Sequence, residues 1–119
     1  IVMRVAVKPF FDALRRVSQA ASPKTYSVTL DISSEDISSD SVMLSASSSE
    51  FGSAAEAVPV EYAQPTRIGF NARYLTEALR ASGTEVIELE IETPSTGAIL
   101  RGVNSSFAWR CLIMPQRLE

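Results

Sequence analysis

Lys8-Pro9-Phe10-Phe11-Asp12-Ala13-Leu14-Arg15 and Arg73-Tyr74-Leu75-Thr76-Glu77-Ala78-Leu79-Arg80 are two versions of one segment. Residue 80 less residue 15 gives an offset of 65, and at that offset Ala13-Leu14-Arg15 falls on Ala78-Leu79-Arg80. Phe10 then falls on Leu75, Asp12 on Glu77 and Lys8 on Arg73. Both copies have helical spacing. Phe10, Leu14 and Val17 share one face, and Leu75, Ala78 and Leu79 form the second stripe. Pro9 is a favoured residue in a first helical turn, so the first helix is expected to start there. Asn71 is a good N-cap for the second, and Gly83 a good stop.

Working outward, Met3 and Val5 before the first helix match Ile68 and Phe70 before the second. After the helices the period changes to two. Tyr26, Val28, Leu30 and Ile32 alternate with Ser27, Thr29 and Asp31, and Ile87, Leu89 and Ile91 alternate with Glu88, Glu90 and Glu92. That is the pattern of strands with one buried face. Residues 42–46, 58–62, 99–101 and 107–114 read as further strands. Pro59 cannot donate a ladder hydrogen bond, which places its strand at a sheet edge. Residues 33–40 are polar and read as a mobile hairpin loop. The chain is therefore a β-α-β-β-β unit written twice. The expected fold is α+β, with two helices side by side on one face of antiparallel sheets.

At 119 residues the chain is one ordinary domain, and 45% hydrophobic with 21% charged residues suits a packed soluble core. No apolar run approaches the roughly 20 residues of a membrane helix, and no signal leader is visible. The opening Ile1-Val2-Met3 reads as a trimmed piece of a longer chain. There is no histidine, which removes the commonest general base and metal ligand. The single Cys111 forms no internal disulfide and suits a reducing compartment. No metal site and no cofactor are expected. Glu88, Glu90 and Glu92 share one strand face with no nucleophile or base to complete a catalytic set, so an enzyme is the weaker alternative. Trp109, beside Phe107 and Cys111, reads as core.

The helices carry a charge pattern. Lys8, Asp12 and Arg15 share a face, Arg73, Glu77 and Arg80 repeat it, and Arg16 adds charge beside the first. Two readings stay open on spacing alone. One is a solvated face with intrahelical ion pairs. The other is a locally basic surface for phosphates on a domain whose net charge is −3.

Ile68-Gly69-Phe70-Asn71-Ala72-Arg73-Tyr74-Leu75 and the ending Leu112-Ile113-Met114-Pro115-Gln116-Arg117-Leu118 closely resemble the bacterial sliding clamp family, the β subunit of DNA polymerase III, in its C-terminal domain. Between them, Ser49-Glu50-Phe51-Gly52-Ser53-Ala54-Ala55-Glu56 is similar to the family's acidic strand, and Phe11 to Val17 to its first helix. The motifs occur in the family's order over nearly the whole chain. The resemblance implies a DNA-clamp fold in residues 1–119, as one part of a three-domain chain. It also implies a cytoplasmic protein that is not an enzyme. Such chains pair head to tail into a ring around duplex DNA, without reading its sequence, with helices lining the hole. The expected DNA-facing residues are Lys8, Arg15, Arg73 and Arg80.

The resemblance also implies a hydrophobic cleft between the C-terminal and middle domains. It takes Gln-x-x-Leu-Phe peptides of the DNA polymerase III α subunit, the clamp loader and other partners. Matching positions are Asn71, Tyr74, Thr96, Ala98, Leu112, Met114, Pro115, Gln116, Arg117 and Leu118. Without the resemblance, Leu112 and Met114 read as pocket lining or as plain core filler. The family's ring contact points to Ala20, Ala21, Glu50 and Glu56. Ala20 and Ala21 are smaller than the bulky apolar pair of some clamps. Gln116 stands where Met or Val is common, and Glu119 extends past the usual terminal Leu. A stand-alone interaction module with the clamp fold and no DNA role is the other alternative.

Overall fold

The computed structural model describes residues 2–32, 41–61, 66–91, 97–103, 110–114 and 116. β1 (Val2–Ala6) runs into α1 (Val7–Ser18), followed by β2 (Ser27–Ile32), β3 (Ser41–Ser48) and β4 (Gly52–Pro59). The second half repeats that order as β5 (Thr66–Asn71), α2 (Ala72–Ser82), β6 (Val86–Ile91), β7 (Ala98–Gly102) and β8 (Arg110–Ile113). The helices start at Val7 and Ala72, and 72 less 7 is again 65. The fold is α+β, and the internal repeat is real in three dimensions. No described helix is long and apolar enough to cross a membrane.

The halves exchange their first strands. The two antiparallel sheets are ordered β1-β6-β7-β8 and β4-β3-β2-β5. β1 therefore belongs to the second half's sheet, with Val5 opposite Ile87, and β5 to the first half's sheet, with Phe70 opposite Val28. The ends of the halves are exchanged too. Glu61, past β4, forms a bridge to Arg4 on the free edge of β1, and Gln116, past β8, forms one to Gly69 on the free edge of β5. Arg4 and Gly69 are themselves related by the 65-residue offset. β4 and β8 remain as the outer edges.

The core lies where the helices meet the sheets and each other. α1 packs on β3 and β4, α2 packs on β5 and β8, and the helices touch. Phe10, Leu14 and Val17 of α1 and Leu75, Ala78 and Leu79 of α2 are buried, as their spacing predicts. Val28, Leu30, Ile87, Leu89 and Leu100 cover them from the sheets. Fully burying a side chain of this kind contributes roughly 1.5–3 kcal/mol.

Several boundaries differ from the sequence reading. α1 begins two residues before Pro9, which occupies the third helical position, where its missing N–H leaves no bond unmade. The strand expected at 58–62 is β4, which starts at Gly52 and ends at Pro59, the last residue opposite β3. The chain then leaves that ladder to reach β1. Tyr26 stands outside β2, with φ +51. Glu88 and Glu90 are paired, with Arg4 at 3.6 Å and Arg101 at 2.7 Å. Cross-strand arginines therefore neutralise the carboxylate row. The loop at 33–40, Glu92, Phe107, Trp109 and Glu119 lie outside the described residues.

Candidate functional site

Three surfaces carry the expected functional residues. The first is a trough between the helices. One groove of about 780 Å³ is lined by Val7, Lys8, Phe11, Asp12 and Arg15 of α1 and by Leu79, Arg80 and Thr84. A second, of about 500 Å³, is lined by Ala72, Arg73, Thr76, Glu77 and Arg80 and by Arg15, Ser18, Gln19 and Tyr26. The two grooves are images of each other under the internal repeat, and they share Arg15 and Arg80. All four cations expected to face DNA therefore line these two neighbouring grooves, Lys8 in the first, Arg73 in the second, and Arg15 and Arg80 in both. Lys8 is held near Asp12 at 3.8 Å, a turn away. The Arg15 and Arg80 guanidiniums converge from opposite helices on the Phe11 ring, at 6.0 and 5.3 Å from its centroid. Arg73 lies 5.0 Å over the Tyr26 ring. Stacking of this kind holds a long cationic side chain in place while leaving its N–H groups free to donate.

The fifth nearby cation points elsewhere. Arg16 makes a two-pronged ion pair with Glu56 of β4, Nε to Oε2 and Nη2 to Oε1, both at 2.8 Å. The hydrogen bond from Arg16 holds the Glu56 carboxyl below its ordinary value, and the guanidinium is raised in return. Arg16 thus ties α1 to the edge strand.

That edge is the second surface. β4 lies outermost in its sheet, and its Gly52, Ser53, Ala54, Ala55 and Ala57 leave the backbone within reach of another strand. Glu50 is exposed in the β3–β4 turn. Ala20 and Ala21, expected beside this edge as contact residues, are 4% and 5% exposed and belong to the domain's own core. Phe51, an exposed aromatic in the same turn, escapes sequence reasoning because its neighbours are all small or polar.

The third surface is apolar. Leu112 is 66% exposed, Met114 62% and Tyr74 64%, whereas Ile113 between the first two is buried. Strand alternation makes this face, and the helix N-terminus positions its rim. The Asn71 Oδ1 accepts from Arg73 N at 2.9 Å and Tyr74 N at 3.3 Å. Ala98 is fully buried opposite Ile113, so its side chain does not reach this surface. Its neighbour Gly97 does. A Cβ there would come within 2.6 Å of Leu112 Cδ1 and 3.6 Å of the Met114 sulfur. Gly97 thus makes room for both side chains to lie flat, a role that no spacing rule reveals. Gln116 donates through Nε2 to the Thr25 carbonyl at 2.9 Å and through its backbone N–H to Gly69 at 2.7 Å. Its side chain braces the rim. Thr96, Pro115, Arg117 and Leu118 lie outside the described residues.

Residues 1–117 match the family of the DNA polymerase III beta subunit, C-terminal domain. The chain belongs to that family. It is 30% identical over 94 residues to the beta sliding clamp of Synechococcus elongatus, covering 78% of this chain and 24% of that one. A solved sliding clamp of Pseudomonas aeruginosa, bound to griselimycin, has a TM-score of 0.87 at 24% identity, over 98% of this chain and 30% of that chain. A beta sliding clamp of C. crescentus has the same TM-score at 25% identity, again over 98% and 30%. The clamp domain described here therefore spans about a quarter to a third of the length of these relatives.

Proposed function

We propose that this clamp domain is one part of a three-domain chain that pairs head to tail into a ring and encircles duplex DNA. The ring tethers the replicative polymerase, its loader and other partners without chemistry of its own. The observation that carries this reading is the collection of Lys8, Arg15, Arg73 and Arg80 in two neighbouring grooves on a domain of net charge −3. A few mobile contacts to phosphates position a duplex without reading bases. An acidic remainder keeps those contacts from becoming a grip, so linkage by topology replaces affinity. The β4 edge, with Glu50 and the Arg16-paired Glu56, is the ring contact in this reading, and Ala20 and Ala21 come to it by resemblance alone. Tyr74, Leu112 and Met114, with Gly97 beneath and Asn71 and Gln116 at the rim, are this domain's share of the peptide cleft. Thr96, Pro115, Arg117 and Leu118 extend it by resemblance.

The test is charge reversal in the full-length protein. Arg73→Glu with Arg80→Glu should impair loading or retention on circular DNA, while thermal stability falls by about 1 kcal/mol or less, as expected for losing stacked surface cations. Unchanged retention would refute the DNA-facing assignment and leave the interaction-module reading.

A further inference from the structure

Thr25 and Tyr26 sit where the apolar face and the basic trough meet. The Thr25 carbonyl accepts from two side chains, Gln116 Nε2 at 2.9 Å and Asn71 Nδ2 at 3.4 Å. Gln116 follows the exposed Met114 by two residues and is anchored to Gly69 by its backbone. Asn71 caps the helix turn that presents Tyr74. The next carbonyl, that of Tyr26, accepts from Ala72 N at 2.7 Å. The Tyr26 ring lies under Arg73 and lines the groove with Arg15 and Arg80. Its φ of +51 is a conformation that a bulky residue keeps only where its surroundings hold it.

We propose that this turn couples the apolar face to the trough, with Gln116 as the positioning residue that links a seated peptide to Tyr26 and Arg73. A peptide resting on Leu112 and Met114 loads the segment that ends at Gln116. The Gln116 carboxamide fixes the Thr25 carbonyl, and Thr25 sets the backbone of the strained residue after it. A small displacement at Thr25 relaxes or tightens Tyr26 and moves the ring on which Arg73 stacks. The peptide shifts this balance only as far as it favours one arrangement, and phosphate on Arg73 must act back on the peptide by the same factor. The coupling rests on the peptide-cleft reading of the apolar face.

The experiment uses the full-length protein with 3-fluorotyrosine placed at position 26 and a ¹³C label on the Met114 methyl. A Gln-Leu-Ser-Leu-Phe peptide is titrated in. In the unaltered protein both signals should move and reach saturation together. In Gln116→Met, which fills similar space without a donor but alters the rim of the cleft, peptide is added until the Met114 signal saturates, and at that saturation the Tyr26 fluorine should stay still. A fluorine shift of equal size in Gln116→Met would overturn the coupling. So would a still fluorine in the unaltered protein while Met114 responds, an arm that needs no variant to fold. A silent Met114 would instead sink the cleft reading, and the coupling with it.

Discussion

At the start of α2 the Asn71 carboxamide satisfies the backbone N–H groups of Arg73 and Tyr74, whereas at the matching point of α1 Ala6 has no side chain to offer. The difference continues at the other end. α2 closes on Gly83 in the left-handed region at φ +63, while α1 runs into Gln19 still in helical conformation. The surfaces diverge as well. Residue 116 less residue 61 gives an offset of 55 between the returning segments, and at that offset Leu112 falls on Ala57 and Met114 on Pro59. One half therefore presents large apolar side chains where the other presents a small-residue edge. The duplicated architecture keeps its core and backbone bridges, while its two outer edges carry different side chains. The tighter cap belongs to the half whose first helical turn carries Arg73 and Tyr74.

The largest effect expected is one that the two halves share. Leu14 and Leu79 are equivalent and both essentially inaccessible. Leu14→Ala and Leu79→Ala should each lose roughly 2–5 kcal/mol in denaturant unfolding. A large inequality between them would break the idea of a symmetric core.

Next comes the helix start, where the halves should differ. Asn71→Ala should lose about 1 kcal/mol. Ala6→Asn should gain less than that. Pro9 has no N–H, so only Lys8 offers a donor of the kind that Arg73 and Tyr74 both supply to Asn71. Thermal melts of the two variants side by side decide this, and a gain equal to the loss would contradict the role given to Pro9.

The smallest effect concerns the exposed Arg16–Glu56 pair, and its sign follows from the lowered carboxyl value. The folded-state value of Glu56 lies below its ordinary 4.5. Its contribution is then fully present above that pH and is lost as pH falls through the depressed value. The stability difference between the unaltered protein and Glu56→Gln should be steady at neutral pH and vanish in acid. A difference that grows below pH 4.5 would reverse the sign.

Much of this was legible in the residues because helices and strands are local. The offset of 65 was visible in Ala13-Leu14-Arg15 and Ala78-Leu79-Arg80, and the alternation of Leu112, Ile113 and Met114 fixed which side chains share a face. The exchange of β1 and β5 was not legible, since pairing Val5 with Ile87 is a long-range choice that local periodicity does not encode. Ala20 and Ala21 were matched by position, and position does not report burial. Gly97 rather than Ala98 meets Leu112, because strand phase, not proximity in sequence, decides which of two neighbours faces it. The Gln116–Thr25 hydrogen bond spans 91 residues and left no trace in composition or spacing.

The most direct test of the central contrast is calorimetric titration of a Gln-Leu-Ser-Leu-Phe peptide into the full-length protein and its Leu112→Asp variant. A partner site confined to the second half predicts one peptide per chain and a loss of affinity of about tenfold or more in the variant, the scale of a lost apolar anchor. Two equivalent sites per chain, or an affinity that Leu112→Asp leaves unchanged, would contradict it.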